Sequence, residues 1–295
     1  MTQSGHILTQ DGTQLYYEIH GEGEPTCIVP AACFLSIDWQ SLAQSRQIIF
    51  YDQRNRGQSF RIDGQRSEVA LNYELTDIDA IRQHFALEAF VLIGWSYLGA
   101  MSALYAARYP QKVSKLVMIG AVPPRAYRHY EDNPDYQAVK ERSAARVDEA
   151  GKVHLLALRA QGIHESDPVY YCHEYRKVHR PANMYNLEGL AQMKNDPCQY
   201  PNEHPDRVAE NFKALYADFG DWDWRSHAHN ITCPTMLIHG EEDRVPLAGA
   251  IEWAAHIPQS TLCRIPNCAH FPWLEAPDTF FDLIELFLRH KPSQE

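Results

Sequence analysis

Residues 93–99 read Ile-Gly-Trp-Ser-Tyr-Leu-Gly and join a short apolar run to a stretch of helical length. The run before them, residues 90–93, is of the buried-strand type, and the stretch that follows extends as far as Pro110, a residue that ends helices. A sharp turn between strand and helix would expose the Ser96 hydroxyl, with the first helical amides facing any negative charge that forms beside it. This context predicts a nucleophile elbow with Ser96 at its tip.

The same alternation of strand and helix patterns extends on both sides of this turn. Short apolar or alternating runs predict strands at residues 13–20, 26–29, 47–51, 115–119, 235–238 and 261–265. Helical spacing predicts helices at residues 75–85, 96–109, 248–256 and 279–289. The fold class is therefore predicted as α/β, with a mostly parallel central sheet and helices on both faces.

One long region does not alternate. Residues 124–224 contain helical patterns and loop signals but no strand of the buried apolar type, which predicts a helical cap inserted between two parts of one core, residues 1–123 and 225–295. A minority of the cap tyrosines is expected to line a pocket, from the set Tyr127, Tyr130, Tyr170, Tyr171, Tyr175 and Tyr185. Trp222 and Trp224 are expected to seal the junction between cap and core.

Composition and charge restrict the class of protein. Of the 295 residues, 45% are apolar and 22% are charged, as in folded globular proteins, and 27 Lys+Arg against 38 Asp+Glu give a net charge of −11. This charge argues against binding to nucleic acid or to an anionic membrane surface. No signal peptide and no apolar run of membrane-spanning length is recognisable. We therefore expect a cytoplasmic protein with a small-molecule substrate, and the oligomeric state stays open.

The seven cysteines are odd in number, scattered and free of any C-x-x-C pair. This pattern predicts neither a disulfide framework nor a zinc site, and it suits a reducing compartment. The histidines lack the H-E-x-x-H spacing of a zinc-binding helix. No metal and no cofactor is expected.

A base and an acid follow Ser96 in the chain, each just beyond a predicted strand. Asp243 lies in Gly-Glu-Glu-Asp-Arg-Val-Pro at residues 240–246, and His270 lies in Asn-Cys-Ala-His-Phe-Pro-Trp at residues 267–273. A serine hydroxyl needs such partners because it is a weak nucleophile alone. With these motifs in this order, and with the turn Asp-Gln-Arg-Asn-Arg-Gly-Gln-Ser at residues 52–59, the sequence resembles the α/β-hydrolase superfamily outside the cap.

The resemblance implies a catalytic triad. Ser96 corresponds to the nucleophile, His270 to the general base and Asp243 to the acid that orients the imidazole, with Glu241 and Glu242 as rivals for the acid. The turn at residues 52–59 implies a structural brace, in which Arg54 is paired. Cys33 and Cys268 are interpreted as packing residues.

The oxyanion hole departs from the pattern of the superfamily. One donor is expected to be the backbone amide of Tyr97, and the second an amide after the strand at residues 26–29. Where the superfamily usually has His-Gly, this chain has Val-Pro-Ala-Ala-Cys-Phe, so Ala32 or Cys33 is the expected donor. Leu98 replaces the last glycine of G-x-S-x-G, which predicts a re-angled turn or a locally opened sheet. Trp95, Phe34 and Trp273 are predicted to form the substrate pocket.

The leading hypothesis is a cofactor-free serine hydrolase that cleaves a small or medium carboxylic ester or amide through an acyl-enzyme. A proline-iminopeptidase-like aminopeptidase is an alternative, with Glu131, Asp132, Asp135 and Glu174 as candidates to hold a substrate amine. A carbon–carbon bond hydrolase is another. A non-catalytic ligand-binding homologue is the alternative from a different class, since one fold hosts many functions.

Overall fold

A computed structural model of the chain describes residues 3–289. Within this range nine strands form one sheet, in the order β1-β2-β4-β3-β6-β7-β8-β9, with β5 paired to β2. The strands are β1 Gln3–Leu8, β2 Thr13–His20, β3 Cys27–Pro30, β4 Ile48–Tyr51, β5 Phe60–Arg61, β6 Phe90–Trp95, β7 Val113–Ile119, β8 Thr235–Gly240 and β9 Ser260–Ile265. The pairs from β4 through β9 are parallel, and the pairs that involve β2 are antiparallel. The predicted α/β class with a mostly parallel sheet is confirmed.

The burial of each strand explains its sequence pattern. All residues of β3, β4 and β8 are buried, because helices cover both faces there, and their sequences are continuous apolar runs. β2, nearer the edge, alternates between buried and half-buried positions, as its alternating sequence predicts.

Twelve α-helices are present within residues 3–289. They are α1 Ala32–Leu35, α2 Leu71–His84, α3 Tyr97–Arg108, α4 Pro134–Ala144, α5 Glu149–Ala160, α6 Ile163–Ser166, α7 Pro168–His179, α8 Pro205–Phe219, α9 Arg225–Ala228, α10 Leu247–His256, α11 Pro272–Glu275 and α12 Pro277–Arg289. Short 3₁₀ turns lie at Gln40–Gln44, Tyr127–Tyr130, Arg180–Asn183, Leu187–Gln192, Pro197–Gln199 and Pro201–Glu203. None of the helices of this part of the chain is long and apolar enough to cross a membrane.

Residues 124–224, which lie between β7 and β8, are mainly helical. This region contains α4 to α8 and a small apolar cluster of its own around Leu155, Leu158, Tyr171 and Val178. At its two ends, the Trp222 indole donates to the Pro123 carbonyl at 3.0 Å and the Trp224 amide donates to the Pro124 carbonyl at 2.7 Å. These bonds hold the ends of the region together against the sheet.

One expectation about the cysteines is wrong. Cys172 of α7 and Cys198 of the turn Pro197–Gln199 form a disulfide, while Cys27, Cys33, Cys233, Cys263 and Cys268 are free. The two partners are 26 residues apart and share no short motif. They meet only because the chain after α7 folds back onto it, which the spacing of cysteines does not encode.

The fold gathers the residues singled out by the sequence at one edge of the sheet. Carboxyl ends of parallel strands point to the same edge, where α/β folds bind their ligands. Ala32 follows β3, Ser96 follows β6, Asp243 follows β8 and His270 follows β9. The site is therefore built on segments that are distant in sequence.

Candidate active site

Ser96 lies at a strained turn between β6 and α3. Its φ of 60° and ψ of −132° are rare for a residue with a side chain, and its amide donates to the Ile119 carbonyl of β7 at 2.8 Å. Two glycines make room for the turn. A Cβ atom at Gly94 would lie 2.4 Å from the Leu98 carbonyl oxygen, and one at Gly99 would lie 2.8 Å from the Ala121 Cβ.

The replacement of the last elbow glycine by Leu98 does not open the sheet. The pairing of β6 with β7 is regular through Gly94 and Trp95, and its single irregularity lies at the other end of the strand, between Phe90 and Val91. The close approach to β7 occurs at Gly99 instead, and the buried Leu98 lines a cavity beside Ser96. The expectation of a locally opened sheet is therefore wrong.

Ser96, His270 and Asp243 form one hydrogen-bonded chain. The Nε2 atom of His270 lies 3.0 Å from the Ser96 Oγ, and its Nδ1 atom lies 2.8 Å from Oδ2 of Asp243. The second oxygen of Asp243 accepts the amide of Val245 at 2.9 Å. Glu241 and Glu242, the rival acids, pair instead with Arg264 and Arg142. This geometry permits His270 to take a proton from Ser96 while Asp243 holds the other ring nitrogen.

The environment keeps Asp243 ionised. Burial acts to raise the pKa of this carboxyl, but the charge and hydrogen bond of His270, the charge of His239 and the amide of Val245 together outweigh it, so the pKa of Asp243 lies below its ordinary value. Gly120, at the end of β7, makes room for the pair. A Cβ atom at Gly120 would lie 2.8 Å from Oδ2 of Asp243 and 3.1 Å from Nδ1 of His270.

The loop that carries His270 is anchored from two sides. The Trp95 indole donates to the His270 carbonyl at 2.9 Å, and the His270 amide donates to the Asn183 carbonyl at 3.0 Å. The Glu275 carboxylate accepts the amide of Ala269 at 3.0 Å and that of Tyr185 at 2.6 Å. The position of the imidazole is thus coupled to the helical region.

The backbone amides near Ser96 are not equivalent. Tyr97 and Ala32 are the first residues of α3 and α1, where amides have no acceptor within their own helix. The Cys33 amide donates to Oδ1 of Asp52 at 2.8 Å. Cys33 is therefore removed from the candidate oxyanion donors, because its N–H is already engaged by a buried carboxylate, and Ala32 is left as the candidate.

A cavity of about 370 Å³ opens at Ser96. Its walls come from the sheet edge and from the helical region, and its apolar part includes Phe34, Trp95, Tyr97, Leu98, Val208, Ala209, Phe212 and Phe271. Phe34 and Trp95, two of the three pocket residues proposed from the sequence, are among the residues that line it. Trp273 does not line this cavity. It is 4% exposed and packs edge-on against Trp39 and Trp95, so its predicted place in the pocket is wrong.

The predicted brace at residues 52–59 is present. Both oxygens of Asp77 accept from the Arg54 guanidinium, at 2.8 and 2.6 Å, so Arg54 is paired as expected. The buried Asp52 accepts the amides of Cys33 and Gln58, and burial raises its pKa to about 7. Arg56 has a further contact that the sequence does not reveal, a two-bond ion pair with Glu203 of the helical region at 2.7 and 2.8 Å.

Potential metal ligands meet at one place in the described chain. His173, Asp196 and Cys198 lie close together, but the Cys198 sulfur belongs to the disulfide and Nε2 of His173 is hydrogen-bonded to Asp196 at 3.0 Å. This group lies outside the set that lines the Ser96 cavity. It offers no metal site for chemistry at Ser96.

Comparison with known proteins shows the family to which the fold belongs. The family model of the α/β hydrolase fold matches residues 36–277. The chain belongs to the α/β-hydrolase family. As a member of this family it is an enzyme of the hydrolase class.

Similarity to individual members is more distant. The chain is 26% identical over 274 residues to a non-heme haloperoxidase from Rhodococcus erythropolis, which covers 90% of this chain and 92% of that protein. It is 25% identical over 262 residues to a proline iminopeptidase from Saccharolobus solfataricus, covering 82% and 75% of the two chains. The structure of an esterase from Exiguobacterium antarcticum superposes with a TM-score of 0.70 at 19% identity, covering 98% and 100%. At this identity, the similarity to the esterase structure shows only that the two folds are alike.

Three residues of the site are not predicted from the sequence. Gly120 carried one signal, its place at the end of a predicted strand. Glu203 and Glu275 carried none, because each meets its partners only through long-range folding.

Proposed function

We propose that this hydrolase is a serine hydrolase that cleaves a small or medium carboxylic ester or amide through an acyl-enzyme. The observation that carries the proposal is the chain of contacts from Ser96 Oγ through His270 to Asp243, at 3.0 and 2.8 Å. The strained turn that presents Ser96 at a cavity adds support, because binding alone requires neither strain nor a base.

The proposed reaction has two halves. In the first, Ser96 Oγ attacks the substrate carbonyl while Nε2 of His270 takes the hydroxyl proton, and the imidazolium then gives that proton to the departing alcohol or amine. In the second, His270 takes a proton from water, the resulting nucleophile attacks the acyl-enzyme, and the proton returns to Ser96 as the acid leaves. Asp243 stabilises the imidazolium in both halves and stays ionised.

The tetrahedral intermediate of each half carries a negative oxygen that needs donors. We assign this role to the amides of Tyr97 and Ala32, which begin α3 and α1. Each donor of this kind contributes roughly 3 to 4 kcal/mol to transition-state stabilisation. In this proposal residues 124–224 act as a cap, because their side chains form one wall of the cavity and their Asn183 carbonyl holds the His270 loop.

The aminopeptidase alternative has support from the similarity to a proline iminopeptidase. The charged residues that line the cavity argue against an aminopeptidase. An aminopeptidase must hold a substrate ammonium with a free carboxylate, whereas Glu203, the one carboxylate among the residues that line this cavity, is already paired with Arg56. Of the earlier candidates, Glu131 pairs with Lys140 and Glu174 with Lys177, outside the cavity.

The test is hydrolysis of para-nitrophenyl esters and anilides of graded acyl length by the wild-type protein and by Ser96→Ala. Ser102→Ala is the matched control, since it removes a buried hydroxyl from the same helix, away from His270. We expect turnover by the wild type and by the control, and none above background by Ser96→Ala. A folded wild-type protein without turnover, or equal rates for Ser96→Ala, would contradict the proposal and favour a ligand-binding role.

A further inference from the structure

Charged side chains in the Ser96 cavity are mostly cationic. The lining residues include three arginines, Arg56, Arg176 and Arg180, and one carboxylate, Glu203. The protein as a whole has a net charge of −11. The cavity therefore has the opposite sign from the average surface, which is a pattern that attracts anionic ligands.

Arg56 and Glu203 neutralise each other. Glu203 is fully buried, and both of its oxygens accept from the Arg56 guanidinium, at 2.7 and 2.8 Å. The oxygen nearer to Gly57 also accepts that residue's amide at 3.0 Å. Because this pair is neutral as a whole, the positive charges that remain on the cavity wall are those of Arg176 and Arg180.

Among the described residues, neither remaining arginine has a carboxylate of its own. Nη2 of Arg176 donates to the backbone carbonyl of Glu203 at 3.3 Å and lies 3.8 Å from the shared Glu203 carboxylate. Nη2 of Arg180 is buried and has no hydrogen-bond partner within residues 3–289. No acid in that range forms an ion pair with Arg180 that would offset the cost of its burial.

The two guanidiniums also act on each other. Burial, and after it the charge of Arg176, lowers the pKa of Arg180 to about 10, while Asp196 and Asp38 act in the opposite direction. The side chain is still cationic at neutral pH. Two half-buried cations on one wall are stabilised when an anion lies between them, and the planar guanidinium fork suits oxygen anions.

We propose that Arg176 and Arg180 form a subsite for an anionic group of the substrate, a carboxylate or a phosphate, separate from the bond that is cleaved. The inference rests on the proposed hydrolase function. Since the rest of the cavity lining near Ser96 is mostly apolar, the preferred substrate is an ester or amide with an apolar middle and a charged end. The para-nitrophenyl hemiester of adipic acid has this form.

The experiment compares kcat/KM for three para-nitrophenyl esters: the adipate hemiester, an equivalent phosphonate and the uncharged hexanoate. We expect the wild type to prefer an anionic ester about tenfold or more, and Arg180→Gln to reduce this preference by roughly 10- to 100-fold. Arg180→Lys should keep part of it. Whether the carboxylate or the phosphonate is the better substrate identifies the chemical class of the anion.

Arg207→Gln is the matched control, because Arg207 lies on α8 beside cavity residues but its side chain is 54% exposed and pairs only loosely with Glu210. Its rates should stay within about twofold of the wild type for all three esters. A wild type that prefers hexanoate, or a preference that is unchanged in Arg180→Gln, would overturn the subsite.

A second measurement separates this inference from the proposed function. The Ser96→Ala variant cannot form an acyl-enzyme. Calorimetric titration measures how tightly it binds the monoanilide of adipic acid and hexananilide, and the same titrations are made with the double variant that also carries Arg180→Gln. Stronger binding of the anionic anilide that depends on Arg180 supports the subsite even if no ester is cleaved. Ester cleavage without that difference would refute the subsite and leave the hydrolase function intact.

Discussion

Replacement of Gly120 by alanine should break the contact between His270 and Asp243 while most of the fold survives. Gly120 has a φ of +50°, and a methyl group there would lie 2.8 Å from Oδ2 of Asp243 and 3.1 Å from Nδ1 of His270. Those two atoms are themselves only 2.8 Å apart. Carbon contacts normally begin near 3.5 Å, so the methyl group must move the carboxylate or the imidazole by about 0.5 Å or more.

The expected loss of activity follows from that displacement. A misplacement of about 1 Å in a catalytic constellation costs on the order of 100-fold in rate, so a displacement of about 0.5 Å or more should lower kcat/KM of Gly120→Ala by roughly 10- to 100-fold. A left-handed backbone at a residue with a side chain costs about 1–2 kcal/mol, and stability should fall by little more than this. The assays are ester hydrolysis and urea-induced unfolding of the same preparations.

Gly64→Ala is the control for backbone strain alone. Gly64 has a φ of +72°, and nothing lies within 4 Å of a Cβ atom built on it. This variant should lose similar stability and keep its activity. If folded Gly120→Ala kept activity within about threefold of Gly64→Ala, the account of Gly120 as the residue that makes room for the pair would be refuted.

Three further predictions concern the acid of the triad, a buried carboxyl and the disulfide. Asp243→Asn should lower kcat by roughly 10³- to 10⁴-fold with the fold retained, and loss of less than tenfold would argue against its role. Burial, and after it Asp77, raises the pKa of Glu74 to about 8, so the folded state holds a proton that the unfolded chain releases above its ordinary value of 4.5. The contribution of Glu74 to stability should therefore fall as pH rises from 4.5 to about 8. Urea unfolding at both limits should show that the free energy of unfolding of Glu74→Gln, relative to that of the wild type, is higher at about pH 8 than at pH 4.5. A difference in unfolding free energy between the two proteins that does not change with pH would contradict the raised pKa of Glu74. Unfolded but unreduced protein should titrate five thiols of seven, and replacement of Cys172 and Cys198 by serine should cost up to about 3–4 kcal/mol from the entropy of the 26-residue loop. Seven reactive thiols would show the disulfide to be absent.

Local patterns in the sequence predict most of the core. The apolar run before Ser96 predicts β6, and the helical stretch that ends before Pro110 predicts α3. Both predictions succeed because the periodicity of strands and helices is a local property of the sequence. Asp243 and His270 could be placed near Ser96 because parallel strands deliver their carboxyl ends to one edge. These inferences need only the order of the elements along the chain.

The parts that the sequence did not predict depend on which side chains meet after folding. The Cys33 amide was a plausible oxyanion donor until the buried Asp52 was seen to accept it. Trp273 lies close after His270 in sequence, but its ring packs in the core against Trp39. The Arg56–Glu203 pair, which engages the carboxylate of the cavity wall, joins residues 147 apart in sequence.

The most direct test of the central claim is covalent labelling with a fluorophosphonate, followed by intact mass measurement and peptide mapping. An activated serine attacks phosphorus as it would attack a carbonyl, so the reaction does not depend on knowing the natural substrate. We predict a single adduct on Ser96, which is lost in Ser96→Ala and strongly slowed in His270→Ala. The absence of an adduct on the folded wild-type protein, or an adduct on another residue, would contradict the assignment of Ser96, His270 and Asp243 as the catalytic triad.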